Sequence, residues 1–301
     1  MSRLLWGIDL GGTKIEGVIL DEERQGSALH RLRRDTGTAQ GYEHVISQII
    51  GVVQDLEKVS GLSRPPVIGI GTPGAVEPPT GALKNSNATC LTGRPLGNDL
   101  ASLLGCMVRM ANDANCLALA EASWGAAAGA EVVMGLILGT GVGGGIVVRG
   151  KVLNGLHGIA GEWGHNPIRG EFHPCYCGRK GCIETVIAGP SLERYYRESG
   201  GKNIRLPAIV ARADLGEPLA VATIRRLQEK FAEAIAPVLN ILDPDAIVIG
   251  GGVGNIGALY SEDVRECIRR HLFNSVLKTR ILRPQLGDSA GVFGAAILAR
   301  D

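Results

Sequence analysis

The chain has 301 residues, of which 45% are hydrophobic and 20% are charged, values ordinary for a soluble globular protein with a large core and two domains. Its 44 glycines are about twice the usual share but follow no period, which excludes a collagen-like or low-complexity protein. The net charge of +1 gives no electrostatic footprint for nucleic acid or for an anionic membrane.

The N-terminal residues and the cysteines predict the compartment. Asp9 interrupts the apolar run that begins at Leu4, too early for a signal peptide, and no apolar stretch approaches the ~18 residues of a membrane span. Without a signal peptide, the seven cysteines are expected in a reducing compartment. We therefore expect a cytoplasmic protein with no membrane partner, whose clustered cysteines bind metal rather than form disulfides.

Two segments, 7–20 and 135–148, predict the same local structure, a strand, a glycine-rich turn and a second strand. Short β-branched runs bounded by glycine are typical of strands, and the turn between them makes a hairpin. Their similarity predicts a duplicated α/β unit, with one copy opening each half of the chain.

The other predicted elements alternate between helix and strand. Apolar spacing and breaker residues predict helices at 42–59, 115–128 and 219–242, the last kinked at Pro237 and stopped at Asp243, and strands at 67–70 and 246–249. This alternation predicts the α/β class with mostly buried sheets. No linker-like composition separates the halves, so the boundary near residue 115 is inferred from the duplication.

The two glycine-rich turns match two known motifs incompletely. Residues 139–144 fit G-x-G-x-x-G, but a strand follows instead of a helix, which excludes a dinucleotide-binding dehydrogenase. Residues 7–14 nearly fit a P-loop, but Thr13-Lys14 replaces Lys-Ser/Thr and again a strand follows. We interpret both turns as backbone N–H cradles for a polyphosphate, with threonine hydroxyls as further donors. The alternative is two ordinary hairpin turns in which glycine supplies a positive φ.

The cysteines of the second half form a cluster with metal-ligand spacing. Cys175, Cys177 and Cys182 lie close in sequence, and three thiolates with one imidazole make a closed tetrahedral zinc site. Three histidines are candidates for the fourth ligand, namely His157, His165 and His173. The remaining cysteines are scattered and are interpreted as packing residues: Cys90, Cys106, Cys116 and Cys267.

The two turns, together with Gly250-Gly251-Gly252, resemble the two phosphate loops and the adenosine loop of the ROK sugar kinases over residues 7 to about 296. The resemblance implies the actin-like ATPase (ribonuclease H-like) α/β fold, with two duplicated domains around a cleft. The expected domains are 1–115 with a C-terminal helix 290–301, and 116–289 with the zinc-binding segment. The resemblance also implies ATP and Mg²⁺ as cofactors, held by Asp9, Gly11, Gly12, Thr13, Lys14, Gly139, Thr140, Gly141, Gly250, Gly251 and Gly252.

The resemblance also gives roles to polar residues that would otherwise be a helix cap and a solvated loop. Asp113 stands at the position of the family's catalytic base, which accepts the proton of the attacking hydroxyl. His165 becomes the fourth ligand of a structural Zn²⁺, and Asp9 the carboxylate on the Mg²⁺ side, with a strand-end turn as the alternative role of Asp9. The implied sugar-binding residues are Gly74, Asn85, Asn87, Asn112, Asp113, Glu162, His165 and Glu184.

The motifs favour different hexoses as the acceptor of the γ-phosphoryl group, which is expected at O6. Residues 162–167 and 174–178 look most like fructokinases and mannokinases of the family, whereas 136–145 look equally like its N-acetylglucosamine kinases, with glucokinases a third option. The family's sugar-responsive repressors carry an N-terminal helix-turn-helix domain, for which a first strand beginning at Leu4 leaves no room. Asp113 and Lys14 argue against a catalytically silent sugar-binding protein. The family favours homodimers or homotetramers.

Overall fold

The computed structural model describes residues 3–25, 27–77, 80–84, 86 and 88–300. Its strands in chain order are β1 Leu4–Leu10, β2 Lys14–Asp21, β3 Ala28–Asp35, β4 Val67–Thr72, β5 Ala75–Val76, β6 Leu83–Lys84, β7 Met107–Asn112, β8 Val132–Leu138, β9 Val142–Val148, β10 Lys151–Val152, β11 Ala246–Gly250 and β12 Arg280–Leu282. Its helices are α1 Tyr42–Ser60, α2 Leu96–Leu104, α3 Asp113–Trp124, α4 Glu184–Ile187, α5 Gly189–Glu198, α6 Leu206–Asp214, α7 Pro218–Leu242, α8 Gly251–Gly254, α9 Glu262–Arg269 and α10 Ala290–Ile297.

The two five-stranded sheets have the same strand order. The first runs β3-β2-β1-β4-β7 and the second runs β10-β9-β8-β11-β12. In the first, β1 pairs antiparallel with β2 and parallel with β4, and in the second β8 pairs parallel with β11. Both predicted strand–turn–strand segments are confirmed, and the α/β class is confirmed with two sheets of matching topology.

The chain divides into two compact units. The first consists of Met1–Gly129, Gly145–Ala160 and Pro284–Asp301, and the second of Ala130–Gly144 and Gly161–Arg283. The boundary expected at residue 115 falls inside α3, which belongs to the first unit. The domain limits inferred from the duplication remain a proposal.

Local sequence signals explain where the long helices begin and end. Helix α1 buries Val45, Ile49 and Leu56 on one face and is capped at its C-terminal end by Gly61, whose φ of 68° is left-handed. Helix α7 begins with Pro218 and ends as predicted before Asp243. Among the described residues, no helix combines the length and the apolar character needed to cross a membrane.

The Ala-rich helix begins two residues earlier than predicted. Asn112 is its N-cap, because the Asn112 Oδ1 accepts a hydrogen bond of 2.7 Å from the backbone N–H of Asn115. Asp113 therefore belongs to the first turn of α3 rather than to the loop before it. The helix ends at Trp124 instead of residue 128.

Helix α10 packs against the first sheet with close backbone contact. A Cβ atom at Gly7 in β1 would overlap Ala296, and one at Gly69 in β4 would overlap the carbonyl of Ala295. Only glycine therefore fits at these strand positions. The same helix brings Gly291 to the end of β1, where a Cβ atom would lie 3.0 Å from the Oδ2 of Asp9. The packing of α10 thus holds one side of the Asp9 carboxylate.

Candidate functional site

The turn between β1 and β2 is fixed from one side and open on the other. The Gly11 N–H donates to the Lys14 carbonyl at 2.9 Å, and the Thr36 hydroxyl donates to the Gly11 carbonyl at 2.7 Å. Gly12, Thr13 and Lys14 are exposed, and a Cβ atom at Gly12 would meet nothing within 4 Å. The turn therefore presents an open strip of backbone, as an anion-binding loop requires.

The second glycine turn borders a cavity that lies in the second unit and has a volume of about 1070 Å³. Gly139 and Thr140 line this cavity from the end of β8, and Gly252 lines it from α8, directly after β11. Gly251 has a φ of 83°, and a Cβ atom there would overlap the Leu138 carbonyl. The structure thus brings the predicted phosphate and adenosine loops of this unit to one cavity of ligand size.

Gly141 differs from its neighbours in the same turn. It does not line the cavity, and a Cβ atom at Gly141 would lie 2.7 Å from the Oε2 of Glu184. That same oxygen accepts a hydrogen bond of 2.9 Å from the backbone N–H of Val142. The turn therefore positions Glu184, at the start of α4, as well as bordering the cavity.

Asp113 presents its carboxylate from the first turn of α3. The side chain is accessible to solvent, and its Oδ1 accepts a hydrogen bond of 2.8 Å from the Ala114 N–H. The pKa of Asp113 is raised, mainly because the surrounding protein displaces bulk water, while the Ala114 N–H opposes this shift. A carboxyl group with a raised pKa is a better proton acceptor than an ordinary aspartate once it is ionised.

Asp9 lies near the end of β1 in the same unit and interacts electrostatically with Asp113. The pKa of Asp9 is raised from 3.8 to about 6, first by burial and then by the negative charges of Asp113 and Glu16. A Cβ atom at Gly71 would lie 3.4 Å from the Asp9 Oδ1 and 3.2 Å from the Cys116 sulfur, so this carboxylate and thiol face the same glycine. Cys116 is fully buried, in agreement with its interpretation as a packing residue, and the sequence did not indicate its place beside Asp9.

Gly74 lies where the chain turns after β4. Its φ of 112° favours glycine, and a Cβ atom there would lie 2.6 Å from the Lys84 carbonyl. The expected sugar contacts Asn85 and Asn87 lie outside the described residues.

A buried tryptophan anchors the segment that carries Glu162 and His165. Trp163 packs edge-on against Phe231 of α7, with ring centroids 6.0 Å apart, and its indole N–H donates to the Ala234 carbonyl at 2.9 Å. Glu162 and His165 flank this anchor, with 4.0 Å between the Glu162 Oε2 and the His165 Nε2. The packing of Trp163 in the core therefore positions two candidate sugar contacts, Glu162 and His165.

The cysteine cluster closes around one histidine. The ligand atoms of His165, Cys175, Cys177 and Cys182 all lie within 4.8 Å of one another, and neither His157 nor His173 belongs to this group. The Cys175 sulfur lies 3.6 Å from the His165 Nδ1, and the sulfurs of Cys177 and Cys182 lie 3.5 Å apart. These distances fit four donors arranged to bind one metal ion.

Tyr176 is a neighbour of His165 that the sequence did not indicate. Its hydroxyl lies 3.0 Å from the His165 Nε2, and the two rings meet edge-on. The nitrogen that does not face the cysteines is therefore oriented by a hydrogen bond, which is common for histidines that bind metal. The alternation of Cys175, Tyr176 and Cys177 was the available signal, since it places Tyr176 between two ligands.

The chain is similar to known proteins along almost its whole length. The chain matches the ROK family over residues 5–301. The N-acetyl-D-glucosamine kinase of Photobacterium profundum is 36% identical over 305 residues, covering 98% of this chain and 99% of that protein. The enzyme of the same name from Vibrio cholerae is 35% identical with the same coverage.

Two solved structures are similar over almost the whole chain. The ROK hexokinase from Thermus thermophilus has a TM-score of 0.88 and 32% identity, covering 99% of this chain and 98% of that one. The ROK family glucokinase from Streptomyces griseus, solved with glucose and AMPPNP, has a TM-score of 0.78 and 30% identity, covering 99% of both chains. The resemblance read from the glycine turns and the polar motifs is confirmed, and the chain belongs to the ROK family.

Proposed function

We propose that this ROK protein is an ATP-dependent kinase that transfers the γ-phosphoryl group to O6 of N-acetylglucosamine. The enzyme is an ATP:sugar phosphotransferase. The observation that carries the choice of sugar is the full-length similarity to proteins named N-acetyl-D-glucosamine kinase. These relatives favour N-acetylglucosamine, which the sequence analysis gave as an alternative, over fructose or mannose. Glucose is the second candidate, because the similar Streptomyces griseus enzyme was solved with glucose.

Asp113 is the general base of the proposed reaction. Its accessible carboxylate accepts the proton of the sugar hydroxyl while the hydroxyl oxygen forms a bond to the γ-phosphorus. The bond between the γ-phosphorus and the bridging oxygen breaks, and ADP leaves with that oxygen. The Ala114 N–H holds the Asp113 Oδ1, so the carboxylate has a defined orientation before substrate binds.

The nucleotide binds at the cavity of the second unit, which the glycine turn after β8 borders. Gly139, Thr140 and Gly252 line a space large enough for a nucleotide. Exposed Gly12 and Lys14 of the first turn provide a backbone donor strip and a cation for phosphate oxygens.

Asp9 is the candidate ligand for magnesium. Its carboxylate has a raised pKa and accepts no hydrogen bond within the described part of the chain, so its donor oxygens remain available for a hard cation. Mg²⁺ bound there together with the nucleotide would neutralise phosphate charge. Asp9 would hold the ion, and Asp113 would remain the group that accepts the proton.

His165, Cys175, Cys177 and Cys182 would hold one structural Zn²⁺. Burial raises the pKa of the Cys182 thiol to about 12 and also raises that of Cys175, whereas the backbone N–H of Arg179 lowers that of Cys177 to about 6. Without a cation, Cys175 and Cys182 stay protonated at neutral pH, and a bound zinc ion would favour the thiolate form of all three cysteines. Zinc would thereby hold the segments that carry Glu162 and Glu184.

The candidate sugar contacts of this proposal are Gly74, Asn112, Asp113, Glu162, His165 and Glu184. The carboxylates suit this role because each accepts several hydroxyl hydrogen bonds. Assembly as a homodimer or homotetramer remains part of the proposal.

A coupled ADP-release assay over a panel of sugars tests the proposal. We expect the largest kcat/KM for N-acetylglucosamine, a smaller one for glucose, and a sugar 6-phosphate as the product by mass spectrometry. A larger kcat/KM for fructose or mannose would contradict the proposed substrate. Absence of ADP release with every sugar, combined with a sugar-dependent rise in Tm, would instead indicate a regulatory sugar-binding protein; a ROK transcriptional regulator is 26% identical with a TM-score of 0.82.

A further inference from the structure

The glycine-rich segment that follows β11 is joined end to end by a tyrosine side chain. Gly252 and Val253 of this segment line the cavity of the second unit, whereas Tyr260 does not line it. The Tyr260 hydroxyl lies 3.0 Å from the Ile249 carbonyl oxygen and 2.7 Å from the Gly254 carbonyl oxygen. These two carbonyls stand at the beginning and at the end of the segment, so one phenol O–H holds both ends together.

The Tyr260 hydroxyl is a donor that the backbone of the segment needs. Gly254 is the last residue of α8, and the final carbonyls of a helix have no donor within the helix. A Cβ atom at Gly254 would lie 2.7 Å from the Ile249 carbonyl oxygen, so the two ends of the segment approach very closely. Burial raises the pKa of Tyr260 to about 12, although the charge of Arg283 opposes the shift. The hydroxyl therefore keeps its proton at neutral pH and remains a donor.

Arg283 fixes the tyrosine ring from the neighbouring strand. Because β12 pairs parallel with β11, the residue after β12 lies at the same edge of the sheet as the segment after β11. The Arg283 guanidinium carbon lies 4.3 Å from the centroid of the Tyr260 ring, and its Nη1 donates to the Asn255 carbonyl at 3.2 Å. Asn255 in turn lines the cavity. Two side chains from outside the cavity wall thus determine the backbone of that wall.

We infer that Tyr260 is a positioning residue for nucleotide binding, which holds residues 249–254 in their binding conformation before the nucleotide arrives. The inference rests on the proposed function, because it requires that the cavity of the second unit takes ATP. A glycine-rich segment has many backbone conformations to lose, and a segment ordered in advance lowers the entropy cost of binding. Tyr260 acts through Gly252 and Val253, so its loss should weaken nucleotide binding and leave the chemical step unchanged.

Tyr260→Phe tests this role because it removes the hydroxyl and keeps the ring that Arg283 contacts. The Kd for the non-hydrolysable nucleotide AMPPNP with Mg²⁺, measured by calorimetry, should rise about 5-fold, the effect of losing roughly one hydrogen bond. KM for ATP should rise by a similar factor. KM for the sugar, and kcat at saturating ATP, should stay at their wild-type values, which a general loss of structure would not allow.

Arg283→Met provides a second variant. Arg283 is exposed, so the variant should fold, and methionine keeps an aliphatic contact with the Tyr260 ring but cannot donate to the Asn255 carbonyl. We expect the Kd for AMPPNP to rise in the same direction. If Tyr260→Phe fails to fold, an unchanged Kd in Arg283→Met overturns the positioning role.

Tyr42→Phe is the matched control, since Tyr42 has the same kinds of contact in the first unit. The guanidinium of Arg94 lies 4.2 Å from the centroid of its ring, and its hydroxyl donates to the Asp99 carboxylate at 2.6 Å. Tyr42→Phe should lower the Tm, as Tyr260→Phe should, but leave the Kd for AMPPNP unchanged. An unchanged Kd in Tyr260→Phe, or an equal rise in both variants, would overturn the inference alone. A wild-type protein that binds sugar but not AMPPNP would overturn the proposed function as well.

Discussion

Replacement of Asp9 by asparagine should stabilise the folded protein at pH 8 while removing its activity. Burial, the charge of Asp113 and the charge of Glu16 raise the pKa of Asp9 from 3.8 to about 6. Glu16 is the direct cross-strand partner of Asp9 between β1 and β2. Like charges in such positions destabilise a sheet, so the ionised Asp9 is unfavourable for folding.

The direction of the pH dependence follows from this shift. Because the folded protein binds the proton more tightly than the unfolded chain, protonated Asp9 contributes stability below about pH 3.8, and this contribution is lost as the pH rises through about 6. The shift from 3.8 to about 6 corresponds to a cost of roughly 3 kcal/mol for ionised Asp9. Solvent screens part of this cost, so we expect a gain of about 1–3 kcal/mol for Asp9→Asn at pH 8.

Urea unfolding of the wild type and of Asp9→Asn at pH 4 and at pH 8 measures the effect. The difference in free energy of unfolding should be near zero at pH 4 and should favour the variant at pH 8. Glu23→Gln is the matched control, since Glu23 is an exposed carboxylate of the same unit and its replacement should change stability little at either pH. ADP release should be lost in Asp9→Asn, because an amide is a poor ligand for magnesium.

Two results would refute this reasoning. An Asp9→Asn variant that is no more stable than the wild type at pH 8 would show that the Asp9 charge is not destabilising. A gain of equal size at pH 4 and pH 8 would show that the amide packs better for reasons unrelated to ionisation. Full activity of the variant would remove Asp9 from the proposed magnesium site but would leave the stability argument intact.

Three further predictions concern the base, the nucleotide turn and the zinc. Asp113→Asn should lower kcat at least ~100-fold with sugar affinity retained in calorimetry, and near wild-type turnover would exclude Asp113 as the base. Gly139→Ala adds a Cβ atom with nothing within 4 Å, so Tm should hold while KM for ATP rises; unchanged ATP affinity would reduce the turn to an ordinary hairpin. Elemental analysis should find about one zinc per chain, and Cys177→Ser should lose it with a lower Tm and a larger rise in KM for the hexose than for ATP. Active wild-type protein without zinc would contradict the structural role of the metal.

The glycine turn between β8 and β9 has two roles, because it borders the cavity of the second unit and also positions Glu184. From the sequence, Gly141 was expected to contact phosphate, so that a side chain there would affect ATP. In the structure, a Cβ atom at Gly141 would lie 2.7 Å from Glu184, a proposed sugar contact 43 positions further along the chain. Gly139 is therefore the cleaner position for testing nucleotide binding, since its substitution would not disturb Glu184.

The sequence alone determined the features that depend on neighbouring residues. The hairpins around the glycine turns, helix α1 with its buried face, and the end of α7 at Asp243 all follow from side-chain period and backbone preference over short stretches. The family was also recognisable, because its motifs are short and keep their order along the chain.

Only the tertiary structure decided which distant groups meet and which polar groups are left without partners. Spacing alone left three histidines open as the fourth metal ligand, the family resemblance pointed to His165, and the structure places the His165 ring beside the cysteines. Glu121, in the Ala-rich helix, is fully buried because its carboxylate accepts backbone N–H bonds from Ala126, Gln285 and Leu286. The sequence likewise did not indicate that the Asn115 Oδ1 is buried without a hydrogen-bond partner. Local sequence patterns do not predict such pairings, because the partner, the solvation and the pKa of a side chain depend on segments that come together only when the chain folds.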